Sequence, residues 1–317
     1  MQNIGMKGYL YGAVAAACYG LNPLFAVPMY EAGVSVDSVL FYRYGLALAA
    51  VAVVMLRRGT GFAVARREML PLFLFGMLLS LSSLALFESY NFLDVGIAST
   101  LLFVYPVMVA VIMAAMFRER PTAATVTAIA LASAGIALLY EGEGGVRLDA
   151  WGVALVFMSA LFYAVYIVGV DHSVLKGMDT LRLTFYVLLF GMSLFVVRLR
   201  FGADLQPLDT PQLWACAVSL ALFPTIVSFA FMTLSIHLIG STPAAILGAL
   251  EPVTALVCGV AVFGERLTPR ICLGVAAILT AVTLVILGRL LPGPRTAVAA
   301  VRRLGGAAGA IFGRRHS

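Results

Sequence analysis

Residues 98–122 read ASTLLFVYPVMVAVIMAAMFRERPT, and residues 244–268 read AAILGALEPVTALVCGVAVFGERLT. The second stretch repeats the first at an offset of 146 without a gap, as Pro252 stands to Pro106 and Val253 to Val107. Phe117 and Phe263, Glu119-Arg120 and Glu265-Arg266, and Thr122 and Thr268 keep the same register. Each stretch is apolar up to its Glu-Arg end. A membrane unit written twice in one chain is the common construction of secondary carriers.

The rest of the chain fits that unit. It is 62% hydrophobic and 11% charged, with mean hydropathy +1.03, whereas soluble domains carry about a quarter charged residues. Runs long enough to span a bilayer fall near 8–29, 38–56, 70–92, 95–117, 122–140, 150–169, 181–198, 211–236, 241–263 and 268–290, since a helix needs about 20 apolar residues to cross. The runs are continuous rather than alternating with period two, which excludes a transmembrane barrel. The reading is an all-α integral membrane protein with ten transmembrane helices. The first run carries Asn22, Pro23 and Pro28 and spans a full bilayer, so it reads as a helix rather than a signal peptide.

Charge sets orientation. Arg57, Arg58, Arg66 and Arg67 follow the second run and Arg118 and Arg120 the fourth, while Glu31, Asp37 and Asp94 follow the first and third. The positive-inside rule then places the N-terminus in the cytoplasm. Arg198, Arg200, Arg266 and Arg270 would lie outside, which is what five helices per unit produce, because the second copy enters upside down. Two inverted five-helix repeats follow, residues 1–145 and 146–291, with a basic cytoplasmic tail at 292–317. Both termini are expected in the cytoplasm and the protein in the cell (inner or plasma) membrane. The surplus of +6 lies in the tail and the juxtamembrane arginines, where it meets anionic lipid rather than nucleic acid.

Several motifs resemble a known family. Ala17-Cys18-Tyr19-Gly20-Leu21-Asn22 is similar to the helix-one A-x-W-G-x-N pattern of the drug/metabolite transporter superfamily, in its EamA branch. Phe41-Tyr42-Arg43-Tyr44 resembles the helix-two F-x-R-[FY] segment, and Glu251-Pro252-Val253 the second-repeat form of the helix-four signature. Tyr19 stands where tryptophan is usual, and Leu181-Arg182-Leu183-Thr184-Phe185 matches the helix-two segment poorly. The resemblance implies a ten-helix carrier of small metabolites, often an exporter, with amino acids among the branch's substrates.

The polar residues inside apolar runs are the candidate site. Pro106 and Pro252 are expected to kink helices four and nine at matching depth, freeing carbonyls for other partners. Tyr105 and Glu251 precede them at equivalent positions. A carboxylate at mid-bilayer costs ~2.5–3.5 kcal/mol on insertion scales, so Glu251 should face a partner or a wet cavity. It could carry a proton, pair with a substrate ammonium or brace the kink. Arg43 and Glu88 lie at similar expected depth near the outer surface and are expected to pair. Ser80, Ser83, Glu88 and Asn91 recur at helical spacing, as the lining of a cavity would. Asn22 before Pro23 caps a broken helix or touches substrate, and His237 occupies the place of Asn91 in the second repeat. The two Glu-Arg ends are expected to cap surface turns.

No nucleophilic elbow, zinc-binding helix or acidic metal motif occurs, and the only histidines are His172, His237 and His316. No catalytic or metal-ligating residue and no cofactor is therefore assigned. Cys18, Cys216, Cys258 and Cys272 sit in apolar runs and read as filler. The expected function is alternating-access transport of small polar metabolites, amino acids or related compounds included, with protons as a candidate coupling ion. Export of amphiphilic drug-like cations is the alternative within the class. A non-transporting scaffold and an intramembrane enzyme are the alternatives outside it. The expected partners are a small-molecule substrate and the lipid bilayer, for a monomer or homodimer.

Overall fold

The computed structural model describes residues 2–93, 98, 101–118, 122–139, 149–254, 257 and 269–290. Among these residues there are helices and no strand. In chain order they are α1 (Gln2–Tyr19), α2 (Asn22–Glu31), α3 (Val36–Arg58), α4 (Arg66–Ser89), α5 (Tyr105–Phe117), α6 (Ala123–Leu139), α7 (Ala150–His172) and α8 (Thr180–Arg198). There follow α9 (Pro211–Ala221), a π-helical turn (Leu222–Val227), α10 (Ser228–Ile239), α11 (Ser241–Leu247) and α12 (Pro269–Leu290).

Six stretches are long and apolar enough to cross a bilayer: Met6–Glu31, Val36–Arg58, Arg66–Ser89, Ala150–His172, Thr180–Arg198 and Pro211–Ile239. Tyr105–Phe117, Thr125–Gly135 and Cys272–Ala281 are shorter apolar helices. The protein is thus a multi-pass helical membrane protein. Leu56, Leu70, Val111, Met116 and Val197 stay exposed on its outside, where hydrocarbon rather than water is the natural solvent. Both Glu-Arg ends, Cys258 and the basic tail lie outside the described residues.

Local chemistry starts and stops the helices. The Ser35 hydroxyl accepts from the Ser38 N–H at 3.4 Å at the head of α3, and Gly59 closes it with φ 66°, a backbone that favours glycine. Glu68 reaches back to accept from the Ala65 N–H at 2.8 Å before α4. Asp149 accepts from the N–H groups of Trp151 and Gly152, both at 2.9 Å, before α7. These contacts satisfy donors that a helix start leaves free.

Three of the spans expected as continuous helices are interrupted. Gly20 and Leu21 separate α1 from α2. Phe103 and Val104 form a turn before α5, which places Pro106 in its first turn. Gly248 and Ala249 form a turn after α11, and residues 250–254 are helical again with Pro252 among them. Pro106 and Pro252 therefore start half-helices instead of kinking continuous ones. The missing N–H of a proline costs nothing in a first turn, because no carbonyl waits for it there.

Helix packing respects the duplication. α4 lies on α7 as α10 lies on α1, and α4 on α8 as α9 on α3. Exchanging the two halves turns each of these pairs into the other. α6 packs along α12 more extensively than any other pair. Ala128, Ala132 and Gly135 are buried on α6, and Gly274, Ile278 and Ala281 on α12; each of the second set is 146 residues beyond its counterpart. A Cβ on Gly135 would stand 2.8 Å from the Gly274 carbonyl oxygen, so the backbones meet at van der Waals distance. Small residues permit such approaches between membrane helices, where dispersion rather than water exclusion drives association.

α3 and α8, the second helices of their halves, run antiparallel. Asp37 at the head of α3 meets Arg198 at the end of α8, with Arg198 Nε donating to Oδ1 at 2.6 Å and Nη2 to Oδ2 at 3.0 Å. At the opposite end Arg182 Nε donates to the Gly61 carbonyl at 3.0 Å, and the Tyr186 hydroxyl donates to that of Phe62 at 2.5 Å.

Candidate functional site

One buried arginine lies beside the first of these interruptions. Arg43, on α3, is 0% exposed. Its Nε donates to the Thr225 hydroxyl at 2.6 Å, and its Nη2 to the Pro224 carbonyl at 3.2 Å. The guanidinium carbon lies 5.2 Å from the ring centre of Phe87 and 5.8 Å from those of Tyr19 and Phe229. Its Nη1 has no hydrogen-bond partner among the described residues. No ion pair to Arg43 occurs among them either.

Pro224 is the reason the carbonyls are there. A proline has no N–H to give the preceding turn, and the chain widens to a π-helical turn over Leu222–Val227. The Thr225 hydroxyl covers the gap by donating to the Leu220 carbonyl at 2.9 Å, and its own lone pair receives Arg43. π-turns inside helices are frequent at functional sites.

Burying a lone cation costs several kcal/mol even after relaxation. A desolvated cation over a ring face recovers up to about 2 kcal/mol, and hydrogen bonds from a charged donor about 1.5–3 kcal/mol each. These terms hold the arginine in place without neutralising it.

Glu251 enters from the other divided helix. A Cβ on Gly20 would collide with the Glu251 carbonyl oxygen and stand 3.0 Å from Thr254 Cβ. The break between α1 and α2 thus seats against the second Glu-Pro turn, and only glycine fits there. Tyr105 is 1% exposed and its hydroxyl fills the space a Cβ on Gly248 would need. Its ring meets Tyr163 at 5.0 Å, and Tyr163 stacks on Tyr19 at 6.2 Å. Asn22, in the first turn of α2, is 2% exposed, and neither atom of its amide has a partner among the described residues. Arg43 and Tyr19 are therefore in contact, Tyr105 is linked to Tyr19 through Tyr163, and Glu251 seats against the Gly20 break that Asn22 follows.

Glu88, Asn91 and His237 are not among these contacts. Glu88 faces Arg198, with 3.6 Å between Oε1 and Nη2, and accepts from Asn91 Nδ2 at 3.1 Å. The expected Arg43–Glu88 pair does not form: the arginine points inward to the π-turn while the glutamate points to the Asp37–Arg198 cluster at the bundle's end. The α4 serines also differ from expectation. Ser83 hydrogen-bonds the Tyr44 hydroxyl at 2.9 Å and so joins α4 to α3, while the Ser80 hydroxyl is buried without a partner among the described residues. Ser82, not among the expected residues, bonds the Ser159 hydroxyl at 3.1 Å. His237 lies some two turns along α10 from Phe229. It borders a cavity of about 270 Å³ with Asp171, Lys176 and Ser241. There Asp171 accepts from the Ser241 N–H at 2.9 Å and pairs with Lys176 at 3.2 Å.

The model of the EamA-like transporter family matches this sequence twice, over residues 6–141 and 150–287. The chain belongs to the EamA-like transporter family. It is a membrane transporter and not an enzyme. Among its relatives, an uncharacterized transporter of Archaeoglobus fulgidus is 29% identical over 217 residues, 68% of this chain and 75% of the relative. The uncharacterized transporter YwfM of Bacillus subtilis is 25% identical over 171 residues, 54% of this chain. The match spans 57% of YwfM's own length. A crystal structure with 17% identity superposes with a TM-score of 0.77, covering 90% of this chain and 99% of its own, which speaks for the fold.

Sequence reasoning missed Thr225 and the π-turn within this EamA-like chain, although Pro224 in an apolar run was a visible signal. It also passed over Arg198 as the partner of Glu88. The corrected pairing has a measurable consequence. In a double-mutant cycle of thermal stability, Arg43→Ala and Glu88→Ala are expected to add within about 0.5 kcal/mol, as separate sites do. Asp37→Ala and Arg198→Ala are expected to couple by about 0.2–1 kcal/mol, the range for a half-exposed pair. Coupling above that level between Arg43 and Glu88 would contradict the observed geometry.

Proposed function

We propose that the protein is an alternating-access secondary transporter, a permease or exporter of small polar metabolites with amino acids and related compounds among the candidates. The observation that carries this reading is a buried arginine, Arg43, over Tyr19 at the end of α1, with the Glu251 turn seated against the adjoining Gly20 break. Ionisable groups at such depth mark substrate or ion paths. Divided helices at corresponding places in two repeats are a pointer to a transporter's binding site.

The architecture proposed is ten spans in two inverted five-helix repeats, residues 1–145 and 146–291. The antiparallel course of α3 and α8 and the exchange of packing partners between halves support it. Such a pair of repeats has two nearly equivalent packings, open to opposite sides. The arginines in the last turn of α3 and the first turn of α4 support cytoplasmic termini; labelling of a cysteine near Arg302 by an impermeant reagent outside intact cells would contradict that orientation.

A second reading, export of amphiphilic cations, draws on Glu251 beside Tyr19, Tyr105 and Tyr163. The uncompensated charge of Arg43 at the same place repels a cation and favours the first reading. Flux in proteoliposomes decides the class: a carrier gives saturable, gradient-driven flux and counter-exchange. Ohmic current would make it a channel, and an absence of flux for any polar solute would remove the transport mechanism proposed.

A further inference from the structure

Two of the three guanidinium nitrogens of Arg43 have acceptors among the described residues. Nε and Nη2 are taken by Thr225 and Pro224, the faces of the guanidinium are screened by Tyr19, Phe87 and Phe229, and Nη1 is buried without a partner among the described residues. Structural arginines inside membrane proteins pair with acids or carbonyls at each donor or reach for the headgroups. This one does neither. Its two engaged nitrogens fix the orientation of the fork and leave Nη1 without an acceptor; the Asn22 amide is likewise buried without a partner among the described residues.

We propose that the Nη1 edge of Arg43 is a carboxylate subsite, so that the transported solute is a small monocarboxylate or carboxylate-bearing zwitterion. The inference rests on the carrier reading and narrows it. A guanidinium edge is matched by a planar carboxylate in size, charge and hydrogen-bond direction. One positive charge is neutralised by one negative charge. A phosphate dianion would bring a second negative charge that one guanidinium leaves unmatched. A neutral polyol would leave the buried cation uncompensated. On a zwitterion, the ammonium group then has Glu251 as its counterpart. Without substrate the charge is only partly compensated. Binding of the acid therefore closes the site electrostatically.

The test uses the purified, unmodified full chain in detergent. Thermal-shift and calorimetric titrations are run with the twenty proteinogenic amino acids, lactate and pyruvate, with the amide of each hit and its decarboxylated amine, and with inorganic and methyl phosphate. One or more carboxylates should bind, and the amide and amine should bind about 10- to 100-fold more weakly, as loss of a charge-assisted hydrogen bond implies. Arg43→Lys, which keeps the charge but not the fork, should weaken the acid and leave the amide unchanged. Equal affinity for acid and amide, tighter binding of a phosphate, or no binding by any carboxylate would overturn the subsite. Flux is read separately in proteoliposomes. Arg43-dependent carboxylate binding without flux would keep the subsite and sink the carrier reading. Flux of neutral solutes alone would do the reverse.

Discussion

Arg43→Met is expected to leave the protein folded and at least as heat-resistant as its parent, while flux falls about 10- to 100-fold. The two effects have opposite signs because the arginine is costly to bury and useful once buried. Methionine is unbranched and adaptable, of similar reach, and fills the space among Tyr19, Phe87 and Phe229 without a charge to desolvate. Replacing buried ionic groups by well-packed apolar residues is often neutral or stabilising by about 1–4 kcal/mol. The change orphans the Pro224 carbonyl, which subtracts about 1 kcal/mol or more, whereas the Thr225 hydroxyl keeps its Leu220 acceptor. Sites that bind charge commonly trade stability for function in this way. Thermal unfolding in detergent and proteoliposome flux on the same preparation check both halves. A loss of several kcal/mol with flux intact would make Arg43 a scaffold residue that pins the π-turn.

Glu251→Gln should separate proton drive from translocation. Glutamine keeps the shape of the side chain and one oxygen acceptor, so the junction with Gly20 survives, but it cannot take up or release a proton. If Glu251 carries the coupling proton, a gradient of one pH unit is worth about 1.4 kcal/mol per proton and sustains up to about tenfold accumulation. The variant should lose that accumulation and retain counter-exchange within about twofold. The measurement is uptake into proteoliposomes with and without an imposed pH step, followed by exchange at equal pH. Unchanged pH-driven accumulation in Glu251→Gln would leave the residue the smaller task of bracing the turn before Pro252.

Much of the fold was legible along the chain. The apolar runs, the 146-residue offset and the Pro106 and Pro252 positions came from local composition and repetition, and the helices occur where those runs lie. The helix-one motif also marked a true discontinuity, since Gly20, Asn22 and Pro23 each disfavour an unbroken helix there. The candidate site was half legible. Tyr19, Asn22, Arg43, Tyr105 and Glu251 stood out as polar groups in apolar surroundings. Glu88 stood out for the same reason and proved to belong to a cluster at the bundle's end, with Asp37 and Arg198.

That difference has a physical cause. Whether a segment enters the bilayer depends on hydrophobicity along the chain, so the sequence by itself determined the apolar helices that are described and marked the break at Gly20. The turns before Pro106 and Pro252, expected as kinks, were decided by the tertiary structure. Which side chains meet depends on how each helix is rotated about its axis, and one residue is about 100° of rotation at 3.6 residues per turn. Equal depth made Arg43 and Glu88 look like partners; the rotation of α3 aims the arginine at Thr225 and that of α4 aims the glutamate at Arg198. Only packing sets those rotations, through contacts such as Gly135 on Gly274 and Gly20 on Glu251, and only the tertiary structure decided that Nη1 of the buried arginine has no partner among the described residues.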